Sequence, residues 1–485
     1  MTELKCPFVN AISRPMSFTV FERQTPPLAV VQASLKDSVN QSFWIDDARQ
    51  RVSYPPLPGD ASTDLAIVGG GYLGLWTAIL AKERDPARRV ILLEGERVGW
   101  AASGRNGGFC EASLTHGEEN GLSRWPEEFE QLEALGLKNL QEFAATVKRY
   151  NIDCDYEHTG VLTVAVEDYQ DHELRGADHL DTAAIRAQVN SPTFLSGQWD
   201  KHSTAMIHPG KLVVELARVA TELGVTIYEK SPVTGLVASA GGKGGLMQVQ
   251  TAKGVVTAKR VVLATNVFPA LLKRYRLHTI PVYDYVLMTE PMTAAQLESV
   301  GWKNRQGIAD MGNQFHYYRI TKDNRILFGG YDAVYNFGKQ VKREYEERPA
   351  SFDRLASHFF TTFPQLHGLR FTHRWAGAID TSTRFCAFFT QAYGGRVSSA
   401  AGFTGLGVGA TRFAANVLLD KVEGLDTERT RLRMVREVPM PFPPEPLAFA
   451  AVQTVRWCIN RADHHQGKRN LILRTLDALG LGFDS

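Results

Sequence analysis

The sequence predicts an α/β fold in which a Rossmann-like domain is interleaved with a second domain built on an antiparallel sheet. Three observations predict it. A strand, a glycine-rich turn and a helix follow one another from Asp64 to Lys82, and a second strand then ends on an acid, Glu94. Another glycine turn, Gly402 to Gly409, again separates a strand from a helix far down the chain. Between them, alternating aromatic-rich runs from Pro281 to Gly330 read as antiparallel strands.

Composition bounds the answer before any motif does. The chain has 485 residues, 44% hydrophobic and 22% charged, which suits two or more globular domains. Its 54 basic and 52 acidic residues leave a net charge of +2, so nothing pulls it toward nucleic acid or an anionic membrane. Cys6, Cys110, Cys154, Cys386 and Cys458 are odd in number and lack C-x-x-C spacing, the pattern of reduced thiols in a cytoplasmic protein. No run reaches the length of a membrane span, and the first residues lack the apolar core of a signal peptide. A cytoplasmic location is therefore expected.

Met1 to Val39 shows no periodicity, and residues 1–40 are expected to be a flexible extension. Ser42 to Asp47 is more apolar and docks on the body. Tyr54-Pro55-Pro56-Leu57-Pro58-Gly59 is a stiff lead into the first strand.

In the first turn, Gly69 permits the sharp exit from the strand and Gly71 lets backbone approach a pyrophosphate. Gly74 lets the helix pack on the sheet. Tyr72 and Leu73 lie in the helix start, whose unpaired N–H groups suit a phosphate. Glu94 stands about twenty residues on, where a carboxylate accepts bonds from a ribose diol. An acid there favours a free ribose over a 2′-phosphate, and the turn alone leaves NAD and FAD open.

Past Glu94 comes Gly99-Trp100-Ala101-Ala102-Ser103-Gly104-Arg105-Asn106-Gly107-Gly108, a run of small residues suited to backbone passing close to something flat. The glycine turn, the acid and this segment together resemble the FAD-dependent amine and D-amino-acid oxidase superfamily, specifically its gamma-glutamylputrescine oxidase-like branch. The resemblance implies FAD as cofactor, with Ser103, Arg105, Asn106 and Gly107 along its pyrophosphate and ribityl chain. Cys110 and His116 follow the segment and could hold the flavin covalently; non-covalent binding is expected.

Further along, Glu127 to Tyr150 carries an apolar helical stripe, and Tyr156 to Val166 alternates as strands do. A helix from His208 leads to the strand Gly224 to Glu229. By resemblance, Val233 meets the adenine, and the strand Arg260 to Asn266 returns Thr265 beside the pyrophosphate. The strands at Pro281–Met288, Phe315–Ile320 and Arg325–Gly330 would lie over the flavin ring. The second turn matches the family's C-terminal G-F-[ST]-G-x-G through Gly405, Leu406 and Gly407, and its helix start would face the ring. The expected division is 1–40 extension; 41–155, 205–272 and 371–425 FAD-binding domain; 156–204 and 273–370 substrate domain; 426–485 a helical tail with a solvated charged face.

The chemistry so implied is oxidation of a primary or secondary amine, polyamine-like or aminoalkyl, to an imine. A flavin takes the hydride at N5 and dioxygen reoxidises it to give hydrogen peroxide. Tyr285, Tyr317 and Trp375 are candidates for an aromatic wall that desolvates a cationic substrate, and His316 and Arg319 are the polar candidates beside them. By period two, His316 and Arg319 face opposite sides. Sarcosine-type relatives carry a basic residue after the second turn, where this chain has Gly409, and a lysine on the central hairpin, where Arg325 to Gly330 has none. A simple N-methylglycine substrate is therefore not expected. Two alternatives stay open: a dehydrogenase of a hydroxy acid or amine with another electron acceptor, and a non-catalytic FAD-binding subunit. No metal site stands out, since His464-His465 lack partners at ligand spacing.

Overall fold

Alternation along the first long strand decides how one half of the protein is layered. In the computed structural model, which describes residues 18–48, 52–174, 178–240, 244–478 and 480, that strand is Ala61–Val68, central in an eight-stranded sheet. It pairs in parallel with Val90–Leu93 on one side and Val255–Leu263 on the other. Thr226–Tyr228 extends the first side. Val233–Ala238 and Met247–Thr251 form a meander with Val255–Leu263, whose far end also pairs in parallel with Val397–Ala401. Leu65 and Ile67 point into the helical layer made by Tyr72–Arg84, Pro209–Glu222 and Gly407–Glu423. Ala66 and Val68 point the other way, into a second core with Met247, Val249 and Val256. Both faces are covered, which is why this strand is apolar at every position from Leu65.

The second sheet has ten strands and is mostly antiparallel. Its spine is the pair Ile280–Thr289 and Phe371–Thr381, joined along their length. Ile326–Gly330, His316–Ile320, Gly307–Asp310, Val161–Ala165 and Ser196–Asp200 follow in that order. The hairpin between His316–Ile320 and Ile326–Gly330 turns at Asn324, whose φ of 64° is the left-handed value that asparagine tolerates. Helix Pro349–Thr362 covers one face and buries Phe352, Phe359 and Phe360 against Tyr283, Tyr285, Tyr318 and Phe328. Phe371–Thr381, expected to open the third stretch of the FAD-binding domain, is thus a strand of the second sheet.

Two expectations about the ends of the chain change. Residues 1–17 of the expected extension lie outside the described residues, but the rest of it is regular. Helices Val20–Arg23 and Leu28–Leu35 lead into a short strand, Val39–Asn40, that pairs in parallel with Phe371–Thr381. Val20, Phe21, Val31 and Leu35 join the core of the second sheet, and Phe21 stacks on His358 with ring centroids 4.5 Å apart. Each helix is too short to leave a periodic signature, and the break at Pro26-Pro27 separates them. Phe21→Ala should cost about 3 kcal/mol, read as a lowered guanidinium midpoint; a surface extension would give no shift.

The tail does not present its charges to solvent alone. Glu445 accepts hydrogen bonds from the Tyr335 hydroxyl and from the Gly338 N–H at 3.2 Å. Asp463 accepts from the Asn313 N–H at 2.9 Å, and His464 Nε2 lies 3.0 Å from Glu22 Oε1. Helix Leu447–Asp463 is thereby strapped across both the second sheet and the N-terminal helices. No described helix is long and apolar enough to cross a membrane.

Candidate active site

A cavity of about 1040 Å³ runs between the two sheets. That is the upper end of the range of roughly 300–1,000 Å³ common for ligand and cofactor sites. One end is lined by Gly69 to Leu73, Glu94 to Glu96, Pro232 and Val233. Gly69 has φ 111°, and a Cβ there would lie 2.3 Å from the Ala264 carbonyl oxygen. Gly71 gives helix Tyr72–Arg84 no side-chain cap, so apart from the Tyr72 N–H, which Ser103 Oγ takes, the helix start faces the cavity. Gly74 does not line it; a Cβ there would meet the Gly69 carbonyl oxygen at 1.9 Å, so its role is packing.

Glu94 is buried and anchored. Its Oε2 accepts the Gly70 N–H at 2.6 Å, and its Oε1 accepts the Glu96 N–H at 2.8 Å and Trp100 Nε1–H at 3.1 Å. Burial pushes its carboxyl up, and these donors oppose the shift. A carboxylate offers about four lone-pair sites, so three donors leave room for a further one.

The middle is the small-residue segment. Ser103, Arg105, Asn106 and Gly107 all line the cavity. Ser103 Oγ accepts the Tyr72 N–H at 3.0 Å, and the Asn106 amide donates to the carbonyls of Ala102 and Ser103. Arg105 is not free for an anion: its Nη1 sits 2.6 Å from Glu346 Oε2 and 3.0 Å from the Ala376 carbonyl. It ties the segment to the second sheet. Thr265 lines the same stretch beside Asn266, whose Oδ1 is buried without a hydrogen-bond partner.

The far end holds Glu111, His116, Asp380 and Thr404 to Val408. Leu406 gives helix Gly407–Glu423 no side-chain cap either. Asp380 accepts the Gly402 N–H at 2.5 Å, and burial raises its carboxyl to about 7. Gly409 does not face the cavity. A Cβ at that position would lie 2.1 Å from the Glu111 carbonyl oxygen, so the missing basic residue there says nothing about substrate. Cys110 points into the helical core, its thiol pushed up by burial, whereas His116 lines the cavity.

Of the five catalytic candidates, Tyr317 alone reaches the cavity. Tyr285 faces helix Pro349–Thr362 and donates to the Tyr345 carbonyl at 2.8 Å. His316 is fully buried between Asp310, at 2.6 Å, and His358, at 2.8 Å. Arg319 lies under the small-residue segment and donates to the carbonyls of Gly108 and Ile207. Trp375 is buried and donates to the Arg105 carbonyl at 2.8 Å. These four are scaffold.

The residue that sequence reasoning passed over is Asp284. Along Ile280–Thr289, Ile280, Val282, Asp284 and Val286 face the cavity, while Tyr283 and Tyr285 face the covering helix. Asp284 accepts the Tyr317 hydroxyl and, at 2.9 Å, the Tyr285 N–H. Burial lifts its carboxyl to about 6, against the lowering effect of those donors. Asp284 is the one charged side chain in that strand, and this was the available signal.

A family model described as FAD dependent oxidoreductase matches residues 64–420. The chain belongs to the FAD-dependent oxidoreductase family. It is 30% identical over 412 residues to gamma-glutamylputrescine oxidoreductase of Escherichia coli (strain K12), covering 80% of this chain and 90% of that one. It is 28% identical over 426 residues to a probable oxidoreductase, OrdL, of Haemophilus influenzae, covering 82% and 91%. The fold is that of glycine oxidase from Geobacillus kaustophilus, with a TM-score of 0.60, 17% identity and coverage of 76% and 96%. NikD, an unusual amino acid oxidase, gives 0.62 with 17% identity and coverage of 79% and 99%. This FAD-dependent oxidoreductase therefore sits in the branch its sequence resembled, and it is an enzyme. Both glycine turns fall inside the family match; the N-terminal helices and helix Leu447–Asp463 fall outside it. Among the described residues, no cluster of His, Cys, Asp or Glu could hold a metal ion.

Proposed function

We propose that the enzyme oxidises the C–N bond of a primary or secondary amine, on a polyamine-like or aminoalkyl substrate, to an imine that then hydrolyses. The observation that carries this reading is Asp284, a half-buried acid in the wall of the cavity with its carboxyl raised to about 6. The name of the Escherichia coli relative, gamma-glutamylputrescine oxidoreductase, supports the substrate class.

The residues present fit FAD. Two helix starts whose N-cap residues supply no side-chain cap, one of them already giving its first N–H to Ser103 Oγ, border one continuous cavity together with the unpartnered Asn266 Oδ1, and a buried acid lies at its far end. In this reading, Gly69, Gly71, Tyr72 and Leu73 hold the pyrophosphate, Glu94 the ribose diol and Val233 the adenine. Ser103, Asn106, Gly107 and Thr265 follow the chain toward the ring, which Gly405, Leu406 and Gly407 meet; Arg105 acts through Glu346 as a brace. Gly74 packs the helix rather than touching the cofactor. Bound FAD supplies the two-electron acceptor. Binding is proposed to be non-covalent, with Cys110 turned into the helical core and His116 engaged by the Thr404 backbone.

The protein's own part is to prepare the amine. An ammonium cannot give up its C–H electrons until it has lost a proton. Asp284 attracts the cation, and the carboxylate then takes that proton at an Oδ atom. The Tyr317 hydroxyl holds Asp284 in place, and Val282 and Val286 keep water from its sides.

Anaerobic addition of putrescine, spermidine or gamma-glutamylputrescine to the flavin-loaded enzyme should bleach the flavin absorption. Bleaching by lactate or another hydroxy acid but by no amine would overturn the reading. In air, peroxide released in step with amine consumption would identify dioxygen as the acceptor; its absence during turnover with a dye would identify another carrier.

A further inference from the structure

The last wall of the cavity comes from outside the family match. Met440 to Pro443 line it together with Val452, Val455, Arg456 and Ile459 on one face of helix Leu447–Asp463. Arg105 and Arg456 are the arginines of the lining, and Arg105 is neutralised by Glu346. Arg456 is not neutralised. Its Nη1 donates to Gln453 Oε1 at 3.0 Å, and Gln453 is itself fixed on the Tyr335 carbonyl at 3.0 Å. Its Nε is buried with no hydrogen-bond partner. The carboxylate that acts on it most, Asp332, is already engaged by Arg348 at 3.0 Å, Arg354 at 2.7 Å and Ser351 at 2.6 Å. Two guanidinium groups thus already occupy that carboxylate, and Arg456 makes no ion pair with it. A half-buried guanidinium in the cavity wall, with no carboxylate paired to it among the described residues, has two adjacent N–H groups at the spacing of carboxylate oxygens.

We propose that Arg456 anchors a carboxylate at the end of the substrate away from the reacting amine. The C-terminal helix then selects aminoalkyl substrates that carry an acid at their other end. No ion pair joins Arg456 to Asp284 among the described residues, so the cavity offers one charge for each end of such a molecule. The inference rests on the amine reading above for which end reacts, but the anion site itself can be tested without it.

In the flavin-loaded enzyme, glutarate, which has no amine, should perturb the visible flavin spectrum or protect the flavin from sulfite. Arg456→Gln should weaken that binding about tenfold or more, and Arg456→Lys should restore part of it. In anaerobic reduction, γ-aminobutyrate and ε-aminocaproate should outrun butylamine and hexylamine through tighter binding, and that ratio should collapse toward one in Arg456→Gln. Equal glutarate affinity in wild type and a folded, flavin-loaded Arg456→Gln would overturn the proposal. Inorganic phosphate binding in glutarate's place would overturn the carboxylate assignment. If no amine reduces the flavin at all, the amine reading has failed, and the glutarate titration still decides Arg456.

Discussion

An Asp284→Asn enzyme should load with FAD and be reduced by amines about 10²–10⁴-fold more slowly than wild type, the usual worth of a positioned proton acceptor. Asparagine keeps the shape of the site, and its Oδ1 can still accept the Tyr317 hydroxyl or the Tyr285 N–H. What it loses is the place for the proton. The pH profile separates this role from mere packing. Asp284 is held near 6 by burial, so the wild-type reduction rate should rise as pH climbs through about 6 and the carboxylate forms. The variant should lack that limb. Stability moves the opposite way. A carboxyl whose folded pKa lies above its unfolded value of about 3.9 stabilises the fold at low pH, and the contribution fades as pH rises through about 6. Asp284→Asn should therefore melt no lower than wild type at pH 8. A folded variant with an unaltered rate and an unaltered acid limb would remove Asp284 from the chemistry.

Strand geometry hides Asp284 in the sequence and makes Tyr285 the more visible residue. Period two separates the residues of Ile280–Thr289 into two sets, but it does not say which set meets a cavity. That depends on the layer above. Helix Pro349–Thr362 takes the tyrosine face and leaves the Asp284 face to the cavity, and no local pattern encodes the choice. The same holds for His316, one residue from Tyr317 and on the wrong side of the same sheet. The parallel sheet was easier to read because its signals are local: strand, turn, helix and acid lie within thirty-one residues, Asp64 to Glu94. The ends were hardest. Val20, Phe21 and Val31 belong to helices of four and eight residues, too short to show a period, and Arg456 gains meaning only once its helix is strapped across the cavity.

Gly74→Ala sets two effects of opposite sign against each other, and their sizes decide the outcome. Position 74 lies inside helix Tyr72–Arg84, where alanine is intrinsically better than glycine by about 1 kcal/mol. Propensity alone predicts a more stable protein. But the added Cβ would lie 1.9 Å from the Gly69 carbonyl oxygen, a backbone atom that no rotamer change can move. Gly69 cannot retreat, because at φ 111° it already lies against the Ala264 carbonyl at the end of the neighbouring strand. The helix must lift off the sheet, at a cost of about 3 kcal/mol, the upper end of the usual range of about 1–3 for overpacking, because the obstructing atom is backbone. Packing wins, and the lift opens the turn that is proposed to hold the pyrophosphate. Gly74→Ala should therefore melt several degrees lower and purify with little flavin. Gly59→Ala, with nothing within 4 Å of its added methyl, should match wild type in both respects. A Gly74→Ala protein with full flavin content and a raised melting temperature would mean that the turn yields where the geometry says it cannot.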